Sequence, residues 1–142
     1  MSQTELSEAQ QSRIARAMNS VPFARLLDLK LEAASPGRSV MSLQIRDELR
    51  QNLGVVHGGV TASLIDSAAA LAIVSLLAEG ERATTVDLTI NYLRPLRSGK
   101  VTATARVLRA GKRVIAVSAD VEDEDGNLAA TGLTTYLRFS EK

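Results

Sequence analysis

The stretch from Val60 to Ala78, VTASLIDSAAALAIVSLLA, most constrains how this chain can fold. It is rich in alanine and leucine, which favours helix, and it is apolar nearly all round. A helix without a polar face cannot lie on a surface, so another element must wrap it. The spacing predicts one long buried helix, opened by Gly58-Gly59 and running from Val60 to about Glu79. The second half of the chain supplies the wrapping. Val86, Leu88, Ile90 and Tyr92 alternate with Asp87, Thr89 and Asn91. Val101, Ala103, Ala105 and Val107 alternate with Thr102, Thr104 and Arg106, and Ile115, Val117, Ala119 and Val121 with Ala116, Ser118, Asp120 and Glu122. Leu133, Leu137 and Phe139 alternate with Thr134, Tyr136 and Arg138. Turns at Arg97-Ser98-Gly99, Ala110-Gly111-Lys112 and Asp125-Gly126 separate these segments. Period-two alternation over four consecutive segments joined by short turns means an antiparallel sheet.

Upstream, residues 1–28 read as a helical lead-in. Ser7 and Gln10 have capping-box spacing, and the helix breaks near Asn19-Ser20 before a shorter apolar segment, Val21 to Leu29. Residues 29–46 read as two strands around a turn at Ser35-Pro36-Gly37. The expected class is α+β, an antiparallel β-sheet wrapped around one long central helix. With 142 residues the chain suits a single domain, 1–142.

Composition closes several routes. Without cysteine there is no disulfide framework, thiolate metal site or thiol nucleophile, and a single histidine, His57, cannot build a multi-histidine metal site. No metal and no cofactor is therefore expected. Two tyrosines, two phenylalanines and no tryptophan offer little for stacking bases, so no nucleic-acid partner is expected. The N-terminal MSQTELSEAQQSR is polar and unlike a secretory signal, and the longest charge-free apolar run, Ser67 to Ala78, is too short to span a bilayer. These features lead to the expectation of a cytoplasmic protein with no membrane partner.

Asp66 is the only formally charged residue between positions 51 and 78, and it sits well inside the apolar helix. A carboxylate there must be paired, hydrogen-bonded or reached by solvent, and desolvation makes a carboxylate a better base. A capping contact or an oligomer interface would also account for it. Upstream, His57-Gly58-Gly59 opens the helix. A helix N-terminus presents free N–H groups and partial positive charge, and glycines admit a ligand close to that backbone. Such a site can hold a carbonyl oxygen as it becomes an oxyanion, although a Gly-Gly pair can equally be a plain turn. One short segment thus carries an oxyanion donor and a carboxylate, the minimum for hydrolysing an activated acyl group.

The segment GVVHGGVTASLIDSAAALA resembles the signature of the hotdog-fold acyl-CoA thioesterases of the phenylacetate-degradation group, in which a carboxylate follows the histidine of G-x-x-H-G-G by nine residues. Val86 to Pro95, VDLTINYLRP, is similar to the strand that follows the helix in that family. The resemblance covers about residues 38–140. It implies that Asp66 activates water or attacks the thioester, that Gly58, with Gly59 beside it, polarises the carbonyl, and that the hydroxyl of Thr85 orients the water. The family's amide, usually asparagine, sits six residues before the histidine. Here Gln51 occupies that position and Asn52 follows it, so either could supply the group. The histidine matching His57 looks structural in these thioesterases, whereas hotdog dehydratases use a histidine as base. The resemblance also implies a homodimer or homotetramer whose active site is shared between subunits, with acyl-CoA as substrate.

Seven basic residues and no acidic ones lie between Leu88 and Ala119, and five acids follow from Asp120 to Asp125. Arg94, Lys112 and Arg113, near strand ends, are candidates for the phosphates of coenzyme A, although a solvated sheet face explains each as well. Two other functions fit the same residues: an enoyl-thioester hydratase or dehydratase working through His57, and a non-catalytic acyl-CoA binding module.

Overall fold

A computed structural model describes residues 5–141; the first four residues of the lead-in and the terminal Lys142 lie outside the described residues. Helix α1 spans Glu8–Ser20. Its capping box is formed as the spacing predicts: Gln10 N–H donates to Ser7 Oγ, and the Gln10 side chain accepts from Ser7 N–H. Val21 is extended, and Pro22 opens a short second helix, α2 (Pro22–Leu26), so the lead-in is two helices with a break one residue beyond Ser20. Strands β1 (Lys30–Ser35) and β2 (Arg38–Gln44) form the expected hairpin. A single 3-10 turn, Asp47–Leu49, leads to the central helix α3 (Gly58–Val74). Four strands follow: β3 (Glu81–Tyr92), β4 (Lys100–Ala110), β5 (Val114–Glu122) and β6 (Leu128–Ser140).

All six strands belong to one antiparallel sheet in the order β1-β2-β4-β5-β6-β3. The sheet packs around α3, the arrangement that an all-apolar helix requires. Leu64, Ile65, Ala68, Ala69 and Ala72 are fully buried. Facing them, β4 and β5 turn inward the set the alternation predicts: Val101, Ala103 and Ala105, and Ile115, Val117, Ala119 and Val121 are buried, and Val107 is partly buried just before a register shift in β4. The alanines keep the sheet surface low, so the helix can lie close. Ser39 Oγ donates to Ala68 O at 2.6 Å and ties β2 to the helix within this dry layer. On β6, a side chain at Gly132 would place its Cβ 3.2 Å from Ile65 Cγ2, so glycine is what lets the helix approach there. Each fully buried leucine or isoleucine stabilises the fold by about 1.5–3 kcal/mol.

Three features differ from the sequence reading. Helix α3 stops at Val74, about one turn early. Ser75 ends it by donating Oγ to Ala72 O while accepting from Gly37 N–H, and the chain then turns into β3 five residues before the expected start. Strand β3 carries a bulge: Thr85 pairs with Tyr136 and Asp87 with Thr135, which leaves Val86 unpaired and 59% exposed. On β6 it is the polar set, Thr134 and Tyr136, that faces the helix, while Leu133, Leu137 and Phe139 lie on the outer face, 40–51% exposed. Among the described residues, no helix is long and apolar enough to cross a membrane.

Candidate active site

Asp66 lies a little over two turns into α3, half-buried between the helix and strands β3 and β6. Its carboxylate is tightly held on one side. Thr85 Oγ1 donates to Oδ1 at 2.8 Å, and Tyr136 Oη donates to the same oxygen at 2.7 Å. Tyr136 Oη also lies 2.8 Å from the Asp66 backbone carbonyl. Oδ2 accepts no hydrogen bond among the described residues. The two donors come from paired positions of neighbouring strands, so the sheet fixes both hydroxyls at once. Burial is the main force that pushes the Tyr136 hydroxyl well above the usual phenol range. The hydrogen bond from Tyr136 to Asp66 and the Asp66 charge push the same way, against a contrary contribution from Thr85. Tyr136 is therefore a permanent donor at neutral pH.

Asp66 and Thr85 line a cavity of about 330 Å³ between α3, β3 and the lead-in helices, whose other walls include Met18, Phe23, Met41 and Leu71. A carboxylate in such a cavity meets a largely apolar guest.

The glycines lie elsewhere. His57 caps α3 by accepting from Gly59 N–H at Nδ1, 2.8 Å. Nδ1 is thus engaged by the cap. The cap occupies the Gly59 N–H. Gly58 N–H, the first of the helix, has no hydrogen-bond acceptor among the described residues. Tyr92 lies over Gly58: its Oη donates to Gly58 O at 2.7 Å, and a Cβ on Gly58 would sit 3.3 Å from the tyrosine ring. Glycine is what lets Tyr92 lie this close to the start of the helix.

Gly58 and Gly59 line a second cavity, of about 500 Å³, together with Gln51, Tyr92 and Arg94. Gln51 Oε1 accepts from Leu53 N–H at 3.2 Å, which pins the side chain in its turn beside this cavity. Asn52 is exposed and does not line it, so of the two amides Gln51 is the one placed near the glycines. Arg94 also borders it. Lys112 and Arg113 do not, because they sit in the β4–β5 turn. Arg94 N–H bonds Ala129 O and Arg113 O accepts from Arg138 N–H, so the two regions lie about 30 Å apart along β6.

Within one chain, then, the expected residues form two groups. Asp66 and Thr85 share one cavity, and Gly58, Gln51 and Arg94 share another. Gly58 and Asp66 are eight residues apart on one helix, a separation of about 12 Å along its axis. Sequence reasoning missed Tyr136 and Tyr92 as site residues. Their signal was faint: each is one of only two tyrosines and each lies on a strand.

Comparison with known proteins identifies the family. Residues 53–130 match the model of the thioesterase superfamily. Human acyl-coenzyme A thioesterase 13 is 32% identical over 116 residues, which is 80% of this chain and 82% of that protein. The medium/long-chain acyl-CoA thioesterase YigI of Salmonella typhimurium is 33% identical, over 82% of this chain and 85% of its own. The solved structure of the PaaI protein from the phenylacetic acid degradation operon of E. coli superposes with a TM-score of 0.89, covering 97% of this chain and 99% of that one at 24% identity. The chain belongs to the thioesterase superfamily, and its fold is the hotdog fold that the HGG motif and the element order implied.

Proposed function

We propose that this protein hydrolyses acyl-CoA thioesters, R–CO–S–CoA + H2O giving R–COOH and CoA–SH, with Asp66 as the carboxylate that activates water or attacks the carbonyl carbon. The observation that carries this reading is the hold on Asp66: two hydroxyl donors on Oδ1, an uncommitted Oδ2, and an apolar cavity in front of it. The thioesterase names of the human and bacterial relatives point the same way. Thr85 and Tyr136 hold the carboxylate, and Thr85 is close enough to orient the water. The carbonyl oxygen is received by Gly58 N–H at the positive end of α3, where charge developing in the transition state is stabilised. Gln51 borders the same place. Gly59 and His57 serve the shape of that turn, and Arg94 faces the phosphates of coenzyme A.

The active site is shared in a homodimer. In one chain the carboxylate and the glycine turn open into different cavities, and neither can complete the reaction of a carbonyl held by the other. Strand β3 ends the sheet with an open edge beside Asp66, a natural place for a second copy. A twofold contact there would bring Asp66 of one subunit to Gly58 of the partner subunit. A tetramer would in addition use the outer face of β5 and β6, where Val114, Leu133 and Leu137 are exposed. Lys112 and Arg113 would meet coenzyme A only across such a contact. The substrate class goes with a cytoplasmic location and with the whole chain, 1–142, acting as one domain.

The test is release of free thiol from a panel of acyl-CoAs by the native protein and by Asp66→Asn; the chain has no cysteine to contribute background. The expected result is hydrolysis by the native protein and a loss in kcat of at least ~10²-fold in the variant. Near-native turnover by Asp66→Asn would sink the assignment.

A further inference from the structure

The cavity in front of Asp66 does not end there. A separate hollow of about 500 Å³ lies between α1, the C-terminal end of α3 and the start of β3. The two have six lining residues in common: Ala17, Val21, Ala70, Val74, Ala83 and Tyr136. Ala70 and Val74 stand four and eight residues beyond Asp66, so all three lie on one stripe of α3, with Val74 about 12 Å along the axis. Three alanines from three different elements, Ala17 on α1, Ala70 on α3 and Ala83 on β3, meet at the junction. A larger side chain at any of them would fill the passage. Charged groups line the outer part of the second hollow: Arg13 and Arg16 of α1, Glu79, Glu81 and Arg82 around the start of β3, and Glu141.

We propose that these two hollows form one acyl channel that takes an unbranched alkyl chain, and that Ala17, Ala70 and Ala83 determine how long a chain it accepts. The proposal rests on Asp66 acting at the thioester, because that places the carbonyl carbon at one end of the channel. From there Ala70, Leu71 and Val74 of α3, with Ala17, Val21 and Ala83 opposite, give an apolar stripe of about two helical turns, which suits methylene groups. The coenzyme leaves on the other side of Asp66, toward the partner subunit's Gly58. Helix α1 and Val21 just after it are then part of the substrate site, because Ala17 and Val21 line both hollows.

The experiment compares kcat/KM for butyryl-, octanoyl- and dodecanoyl-CoA, by thiol release, in the native protein, Ala70→Leu and Ala17→Leu. Leucine is a good helix former, so both helices tolerate it locally. The native protein should favour dodecanoyl- over butyryl-CoA. Both variants should lower the dodecanoyl-to-butyryl ratio by about tenfold or more, the scale on which a pocket discriminates a few methylenes. A native preference for butyryl-CoA overturns the channel, and so does a ratio that stays constant in Ala17→Leu, whether its activity is kept or lost uniformly. Should Ala70→Leu fail to fold, Ala17→Leu alone decides. A native protein that releases no thiol from any of the three refutes the thioesterase reading itself, whereas an active protein with unmoved ratios refutes only the channel.

Discussion

Thr85 and Tyr136 are cross-strand partners in β3 and β6, and both donate their hydroxyl to a single oxygen, Oδ1 of Asp66. The hydroxyls are therefore two parts of one clamp. The bulge at Val86 follows immediately, so the strand is in register at Thr85 and shifts just past it. Removing one donor leaves the carboxylate held by the other; removing both frees it to turn away from the substrate. Thr85→Val and Tyr136→Phe should each lower kcat/KM for an acyl-CoA, and the double variant should depart from additivity by about 0.5–3 kcal/mol, as expected for groups in one hydrogen-bond network. Thr85→Ser should keep most of the activity. Strict additivity across this cycle would mean that the two hydroxyls act separately.

The same burial makes a prediction about alkaline pH. The Tyr136 hydroxyl is held protonated in the fold, chiefly by desolvation and further by Asp66. An unfolded chain gives up that proton above about pH 10, while the folded chain keeps it, so the folded state binds more protons there. Its contribution to stability is complete below that pH and declines as the pH rises beyond it. Denaturant titrations from pH 9 to 11 should show stability falling with a slope that is shallower in Tyr136→Phe. Equal slopes for both proteins would count against a buried, protonated Tyr136.

Much of this architecture could be read from the residues. An apolar, alanine-rich stretch dictated a buried helix, and strict alternation in β4 and β5 fixed both the strands and their inward faces. Asp66 stood out as the one charge in an apolar segment. The orientation of β6 did not. Alternation defines two faces but does not say which one meets the core, and here Gly132 and Tyr136 face inward because Ile65 needs the space and Asp66 needs the donor. The bulge at Val86 has no local signature, since it arises from matching β3 to β6. The separation of Arg94 from Lys112 and Arg113 was hidden for a related reason: turns that look alike in sequence belong to opposite ends of the sheet once register is set.

His57 offers a clean division between structure and chemistry. Its Nδ1 accepts from Gly59 N–H and caps α3. Loss of such a cap costs about 0.5–2 kcal/mol. His57→Ala should therefore lower stability by that amount in denaturant melts, and His57→Asn, which supplies another capping acceptor, should recover most of it. An enzyme that used His57 as its base would lose turnover in both variants alike. Recovery of thiol release with the cap in His57→Asn is the expected result, and complete inactivity of a stably folded His57→Asn would place His57 in the chemistry itself.

The shared site is tested most directly by mixing two inactive proteins. Asp66→Asn lacks the carboxylate, and Gly58→Val fills the space beneath the Tyr92 ring, whose atoms lie only 3.3 Å from a Cβ at that position. Each homodimer is then defective in both of its active sites. In a mixed dimer, however, one site combines the intact Asp66 of one subunit with the intact Gly58 of the other, and the second site collects both defects. A twofold contact makes half of the randomly reassorted dimers mixed, each with one working site, so unfolding and refolding the two variants together should restore about a quarter of native activity. A site contained within one chain gives no recovery at any mixing ratio, because every chain carries a defect of its own. Dilution and simple addition of the folded variants serve as the control, since activity should appear only as fast as subunits exchange.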